Sequence, residues 1–521
     1  MLDCIRKILI MRWRAVRCRA GSSFFMPKFP ERRWTGQGEA ELLQTIKKEV
    51  SMKGICILLA YAAVMLLATV TLTRKEKGVE GFCVGDRNAG WLLSSLSIAA
   101  TWVWAPALFT STENAYMKGF AGLFWFLVPN VLCLVIFIPF AKQIRREMPF
   151  GITLSGYMAE KYQSVGVKRV YLFQLIGLSV LSTGVQLLAG SKILSSVTGL
   201  PFWAVTVILA VIGYSYSQFS GIRASIMTDA IQIIFMLAVC AAFVFSGIRQ
   251  TGGDSLLRGL AGYDGTYGSI ISPAGLDVFL GFGLPTAIGL ISGPFGDQSF
   301  WQRVFSIKER YIGRAFLIGA LVFGVVPLSM GILGFLGAGA GYQVQDAAVI
   351  NFEIISWLFP AWAAVPFLFM IVSGLLSTVD SNLCAVSSLT TDIVKGNNLK
   401  ITKAAMLMLL AAGIGIANIP GLTVTHLFLF YGTLRASTLL PTVMTLKGVK
   451  LKADGIIAGV IIALCLGLPV FACGALFNRA VYKTIGSLLT VLSSGIVAAL
   501  ISRREVWHCG KYTRKKTIHK K

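Results

Sequence analysis

Thirteen stretches of roughly twenty apolar residues follow one another between residues 54 and 502, and no other feature narrows the fold of this chain so far. They lie near 54–72, 91–112, 119–141, 170–190, 200–217, 222–247, 276–300, 314–339, 360–394, 402–418, 422–446, 455–476 and 480–502. A bilayer needs about twenty apolar residues per helical crossing and forces each crossing segment to satisfy its own backbone. The expected fold is therefore an all-α polytopic membrane protein with about 13 transmembrane helices. The 55% hydrophobic and 14% charged content of the 521 residues agrees with it.

The net charge of +25 would point to nucleic acid only if the basic residues formed one soluble surface; instead they fall in the loops. From Met52 onward, with the N-terminus outside, 29 Lys and Arg lie on the cytoplasmic side, seven outside and Arg435 within a span, the leader's eleven being counted apart. That asymmetry predicts a multi-pass protein of the cell membrane with an outside N-terminus and a cytoplasmic C-terminus. The basic tail 503–521 then serves as an orientation signal lying on anionic lipid. No nucleic-acid partner and no obligatory protein partner is expected. The ten cysteines are scattered without paired spacing, which implies neither disulfides nor a metal site.

Residues 1–51 do not match the rest. They carry eleven Lys and Arg, no crossing segment, and an Arg-rich start without the apolar core of a secretory signal. An interfacial arm, a transit-like segment and a mis-assigned start compete. The last is favoured, because Lys48-Glu49-Val50 can be back-translated into a ribosome-binding sequence just ahead of Met52.

Three features inside the apolar sequence ask for a function. The ninth stretch contains Gly374-Leu375-Leu376-Ser377-Thr378-Val379-Asp380-Ser381-Asn382, three hydroxyls and a carboxylate within five positions at membrane depth. Such groups are costly there unless used, and their hard oxygens suit Na⁺ or a proton relay. The bland alternative is hydroxyls bonded one turn back or to a neighbouring helix. The second and seventh stretches are interrupted, by Ala99-Ala100-Thr101-Trp102-Val103-Trp104-Ala105-Pro106 and by Ile291-Ser292-Gly293-Pro294-Phe295-Gly296-Asp297-Gln298. Freed backbone at membrane depth belongs beside a cavity or buried in protein, and two breaks at corresponding positions predict a five-plus-five inverted-repeat transporter core.

The chain is accordingly divided into a leader (1–51), an extra helix and loop (52–90), a first repeat (91–247), an external loop (248–275), a second repeat (276–446), two peripheral helices (447–502) and the tail (503–521). The external loop reads either as a lid or as a solvated connector.

Gly85-Asp86-Arg87, Gly221-Ile222-Arg223-Ala224-Ser225-Ile226-Met227-Thr228-Asp229, Gln302-Arg303 and Ser377-Thr378-Val379-Asp380-Ser381 together resemble the sodium/solute symporters over about residues 52–502. The resemblance implies a sodium site built from the carbonyls of Ala100 and Val103, from Gly374, and from the hydroxyls of Ser377 and Thr378. It implies that Asp229, with Asp380 and Ser381, forms a second cation or proton site. The competing reading pairs Asp229 with Arg223 on the same helix. The two interrupted segments look most like the urea active transporter branch. The proline branch carries an acidic residue where this chain has Trp102, so proline specificity does not carry over.

By the same resemblance Trp102, Trp104, Asp297, Gln298 and Trp301 lie where the solute binds, and Gln186, Tyr431 and Arg435 reach it from the fourth and eleventh spans. A lone mid-span arginine needs a partner, and Arg435 is expected to find a carboxylate or the carbonyls of a broken helix. The expected activity is Na⁺-coupled symport of a small polar solute, urea-like, with a proton as the alternative coupling ion and an amino acid or cationic amine as the alternative solute. A passive uniporter or channel on the same scaffold is the competing class. With three His and no paired nucleophile and base, no enzyme is expected.

Overall fold

The computed structural model describes residues 54–518 except 57, 347–348, 395–397 and 478. The leader, and with it the expected start at Met52, lies outside the described residues. Among the described residues the molecule is helical apart from one isolated bridge, Ala89 with Ile307. Twelve helices are long and apolar enough to cross a membrane, and the shorter Trp91–Trp102 supplies the start of a thirteenth crossing. The expected number holds because the broken second span fails only the length criterion.

The second span runs as Trp91–Trp102, then Ala105–Leu108, then the start of a helix that continues to Glu147. The turn between the second and third spans is only Lys118-Gly119, where the backbone leaves helical angles. Gly119 has φ +51°, and a Cβ there would be driven into the carbonyl of Leu260 and the amide of Gly262, so no larger residue fits. The exposed amides beyond this turn are taken by the long loop, with Phe120 N bonded to Leu260 O at 2.7 Å and Ala121 N to Tyr267 O at 3.2 Å. The loop also contains the short helix Gly253–Gly259. It is packed onto the second and third spans and is not a free connector.

The seventh span is Pro273–Ile291, followed by Gly293–Gly296 and Gln298–Ser306. A break not anticipated from the sequence interrupts the eleventh span at Ser437-Thr438, between Val424–Ala436 and Leu439–Leu446. The ninth helix, Ala364–Ile393, is buried along nearly its whole inner length. It packs against the fourth, sixth and tenth spans, and the sixth packs in turn on the second. The twelfth and thirteenth spans pair with each other, and the backbone helix of the thirteenth continues to Ile518.

Candidate functional site

The second-span break is set by its own sequence. Val103 ends the first helix with φ −80° and ψ 87°, its N–H held by the carbonyls of Ala99 and Ala100. Trp104 is extended, and the next helix begins with Ala105-Pro106. Proline suits a first helical turn, where no amide partner is needed. The remaining N–H at this new start, that of Ala105, donates to Gln186 Oε1 at 2.8 Å.

The ninth helix brings its hydroxyls to this break. Thr378 Oγ1 lies 3.4 Å from Thr101 O, 3.4 Å from Val103 O and 3.3 Å from Gly374 O. One hydroxyl hydrogen cannot serve three carbonyls, so this buried group of oxygens carries more lone pairs than donors. A side chain at position 374 would run into Leu108 Cδ1 at 2.8 Å and Val103 Cγ1 at 3.3 Å, so glycine permits the approach of the two helices. Ser377 Oγ donates to Asp229 Oδ1 at 2.6 Å. Ala100 O accepts from Val103 N at 3.0 Å.

Asp229 is fully buried and bonded to Arg303, not to Arg223. Arg303 Nη2 approaches Asp229 Oδ2 at 2.8 Å and Ser381 Oγ at 2.8 Å, and its Nε approaches Ser97 Oγ at 3.0 Å. Ser97 Oγ also donates to Asp229 Oδ2 at 2.6 Å, and Thr101 Oγ1 and Ser381 Oγ are 2.9 Å apart. Arg223 instead faces Glu76 at 2.8 Å and Asp86. It sits at the helix start, one turn too early to reach round to a carboxylate that points into the core. Asp380 accepts from Ser217 through one oxygen, and its other oxygen is buried without a hydrogen-bond partner. Where the resemblance implies a second cation, Asp229 and Ser381 thus already hold a guanidinium. Arg303 lies three residues past the expected end of the seventh stretch, which is why apolar periodicity did not place it here.

A second buried region lies on the other face of the break. The Trp102 and Trp104 rings stack with centroids 5.8 Å apart, and Trp104 meets Phe428 at 4.9 Å and Tyr431 at 5.1 Å. The Arg435 guanidinium carbon is 5.3 Å from the Trp102 ring, 5.6 Å from Trp104 and 5.0 Å from Tyr431. Arg435 Nε donates to Gly289 O at 2.7 Å, a carbonyl near the end of the first seventh-span helix, so its partner is backbone rather than carboxylate. Gly293 would collide with Trp102 if it carried a Cβ, which would also come within 3.3 Å of Arg435 Cζ. Three donors here are buried and unpartnered, Trp104 Nε1, Gln186 Nε2 and Arg435 Nη2, as is one acceptor, Asn130 Oδ1. Trp102 Nε1 is held by Asn130 O at 3.1 Å. Gln174 joins the seventh- and eleventh-span breaks, donating to Gly296 O at 3.0 Å and accepting from Thr438 at 3.2 Å.

Of the expected solute residues at the seventh-span break, Gln298 and Trp301 are engaged elsewhere, while Asp297 stays within electrostatic reach of Arg435. Asp297 Oδ1 caps the helix Gln298–Ser306, accepting from the N–H and hydroxyl of Ser299 at 2.9 and 2.7 Å. Trp301 donates to Phe295 O at 2.8 Å, with its ring 4.5 Å from Phe137, inside an aromatic core. Gln298 bonds Leu154 N, Ile152 O and Ser388 Oγ at 2.9–3.1 Å.

Gln298 belongs instead to a latch around the loop joining the third and fourth spans. Asp392 Oδ2 accepts from Thr153 and Ser155, both at 2.6 Å, and its Oδ1 lies beside Lys168 at 3.6 Å. Arg87 holds Gly151 O at 2.6 Å and Phe150 O at 3.0 Å. Hydrogen bonds to a charged group contribute about 1.5–3 kcal/mol each. Asp392→Ala is therefore expected to free the loop and expose the buried Ser388. A Ser388→Cys reporter should react with a membrane-impermeant maleimide about ten-fold faster or more when Asp392→Ala is added. Equal rates would show that Asp392 does not hold this end shut.

The sodium:solute symporter family model matches residues 82–443. The urea-proton symporter DUR3 of Oryza sativa subsp. japonica is 23% identical, covering 86% of this chain and 69% of that protein. The sodium/pantothenate symporter of Escherichia coli (strain K12) is 23% identical, covering 85% and 96%. In three dimensions the chain is similar to a substrate-bound, outward-open Na⁺-coupled sialic acid symporter at TM-score 0.69 and 16% identity, covering 86% of this chain and 98% of that one. The matched region takes in both broken spans and the ninth helix, and a transporter rather than an enzyme is what these helices build: the chain belongs to the sodium:solute symporter family.

Proposed function

We propose that this protein is a secondary active transporter in which Na⁺ binding drives uptake of a small, planar, neutral solute of the urea type. The observation that carries the reading is the oxygen cluster at the second-span break. Thr378 Oγ1 lies within 3.4 Å of the carbonyls of Thr101, Val103 and Gly374 with one hydroxyl hydrogen to share among them, and a hard cation is what such a set of oxygens binds. The Ser377 hydroxyl completes the cluster, and its bond to Asp229 ties the site to the buried ion pair. Filling the cluster would hold the ninth helix to the break, and release would free them, which is the coupling that alternating access requires.

The solute reading rests on the stacked indoles and the unpartnered donors beside them. Three donors favour a carbonyl, and the flat faces of two indoles favour a small planar molecule. The Arg435 guanidinium against the same rings disfavours a cationic amine, because like charges would meet in a dry site. The charge asymmetry supports a cytoplasmic position for the loop residues 142–169 and the Asp392 latch.

The test is uptake by the full chain in proteoliposomes, with and without an inward sodium gradient, across urea, an amino acid and a polyamine. Sodium-dependent accumulation of urea is the expected result. Flux that ignores the gradient would favour a uniporter, and accumulation that follows a proton gradient alone would replace Na⁺ by H⁺.

A further inference from the structure

The geometry points to Asn130, a third-span residue that the sequence did not single out, as the group that makes the solute site select N–H-bearing amides over carboxylates. This rests on the solute reading above. Left to Arg435 and the donors of Trp104 and Gln186, the pocket would favour a carboxylate, since two buried N–H donors and a guanidinium are what a planar anion pairs with.

Asn130 supplies the opposite requirement. Its Nδ2 donates to Phe126 O at 2.8 Å, one turn back on its own helix, which fixes the amide orientation and leaves Oδ1 as an acceptor. That Oδ1 is buried and has no hydrogen-bond partner. Its backbone carbonyl holds the Trp102 indole at 3.1 Å, and the Arg435 guanidinium lies 5.3 Å from the centre of the same ring. Asn130 and Arg435 therefore both meet Trp102, the one through its backbone carbonyl at the indole N–H edge and the other with its guanidinium over the ring.

A formate-like anion satisfies Arg435 but sets its oxygen lone pairs against Asn130 Oδ1, and a buried acceptor left without a hydrogen is costly. A neutral amide presents its carbonyl to the donors and an N–H to Asn130, lying flat on the indole. The discrimination follows the general pattern in which a buried polar group of a site rejects the analogue that cannot pair with it.

The test is competition against labelled urea in proteoliposomes bearing the full chain, with formamide, formate and guanidinium as unlabelled competitors. In the wild-type protein formamide should compete about ten-fold better than formate or more. Asn130→Leu, of similar size but without the acceptor, should raise the urea KM about ten-fold or more and bring the formamide-to-formate ratio below one. The half-saturating sodium concentration and maximal rate should hold, which a merely structural role would not predict. Asn130→Asp, matching asparagine in shape, is the second variant: guanidinium should compete with urea there and not in wild type.

An unchanged formamide-to-formate ratio in Asn130→Leu, or in Asn130→Asp no gain in guanidinium competition, overturns the role of Asn130 while urea uptake stands. A wild-type chain that accumulates no urea or formamide under a sodium gradient overturns the solute reading and this inference together.

Discussion

Arg303→Ala is expected to destabilise the protein by about 3–5 kcal/mol and to abolish transport, because it strands a carboxylate in the interior. Asp229 is 0% exposed and Arg303 1%, and their contact at 2.8 Å is reinforced by Ser97, Ser377 and Ser381. Removing either charge leaves the other unpaired in a region that water does not reach. Asp229→Asn should accordingly be damaging by itself. The double variant Asp229→Asn with Arg303→Gln should recover much of the thermal stability lost by either single change, since it removes both charges and keeps polar groups for the serines. Melting of the detergent-solubilised protein measures this. A stable Arg303→Ala protein, or singles whose losses simply add in the double, would show that the pair is not what holds the second, sixth, seventh and ninth spans together.

The second large effect concerns sodium. Thr378→Ala removes the hydroxyl at the centre of the oxygen cluster, and Ser377→Ala removes the one that links it to Asp229. Losing one polar contact of about 1–3 kcal/mol should raise the half-saturating sodium concentration roughly 5- to 150-fold in each case. Thr378→Ser keeps the oxygen and should stay close to wild type. Solute uptake measured over a sodium series separates the outcomes, and the same half-saturation in both alanine variants would remove these residues from the cation site.

Much of the molecule was legible in the chain because the bilayer leaves few solutions. A run of about twenty apolar residues must be a helix there, so the helical class, the number of crossings and their approximate limits follow from composition along the chain. The breaks at Val103-Trp104 and at Ser292–Asp297 were readable for a similar reason. Pro106, Gly293, Pro294 and Gly296 cannot continue a helix cheaply, and their placement in the second and seventh spans marks two matching positions. The hydroxyls of Ser377 and Thr378 announced themselves as polar atoms at depth.

Sequence could not decide which way a side chain points once a helix has been broken, nor which distant residue it meets. The Ser437-Thr438 break has its local cause four residues on, where Pro441 offers no N–H to the Ser437 carbonyl, and Gln174 holds it from another span. Asp297, Gln298 and Trp301 stand beside the seventh-span break in sequence, yet one caps a helix, one joins the latch and one fills an aromatic core. Asp229 had Arg223 as the nearer cation along its helix, but its charge is met by Arg303, 74 positions away. Asn130 carries no local mark at all; only the fold brings its carbonyl to the Trp102 indole and buries its side-chain oxygen without a partner. The sequence by itself determined the helices and where they break, because hydrophobic transfer and backbone satisfaction are properties of each segment. The pairing of Asp229 with Arg303 and the ring of unpartnered groups around Trp102 and Trp104 were decided only by tertiary structure, because hydrogen bonds and ion pairs depend on distances between spans that no local pattern encodes.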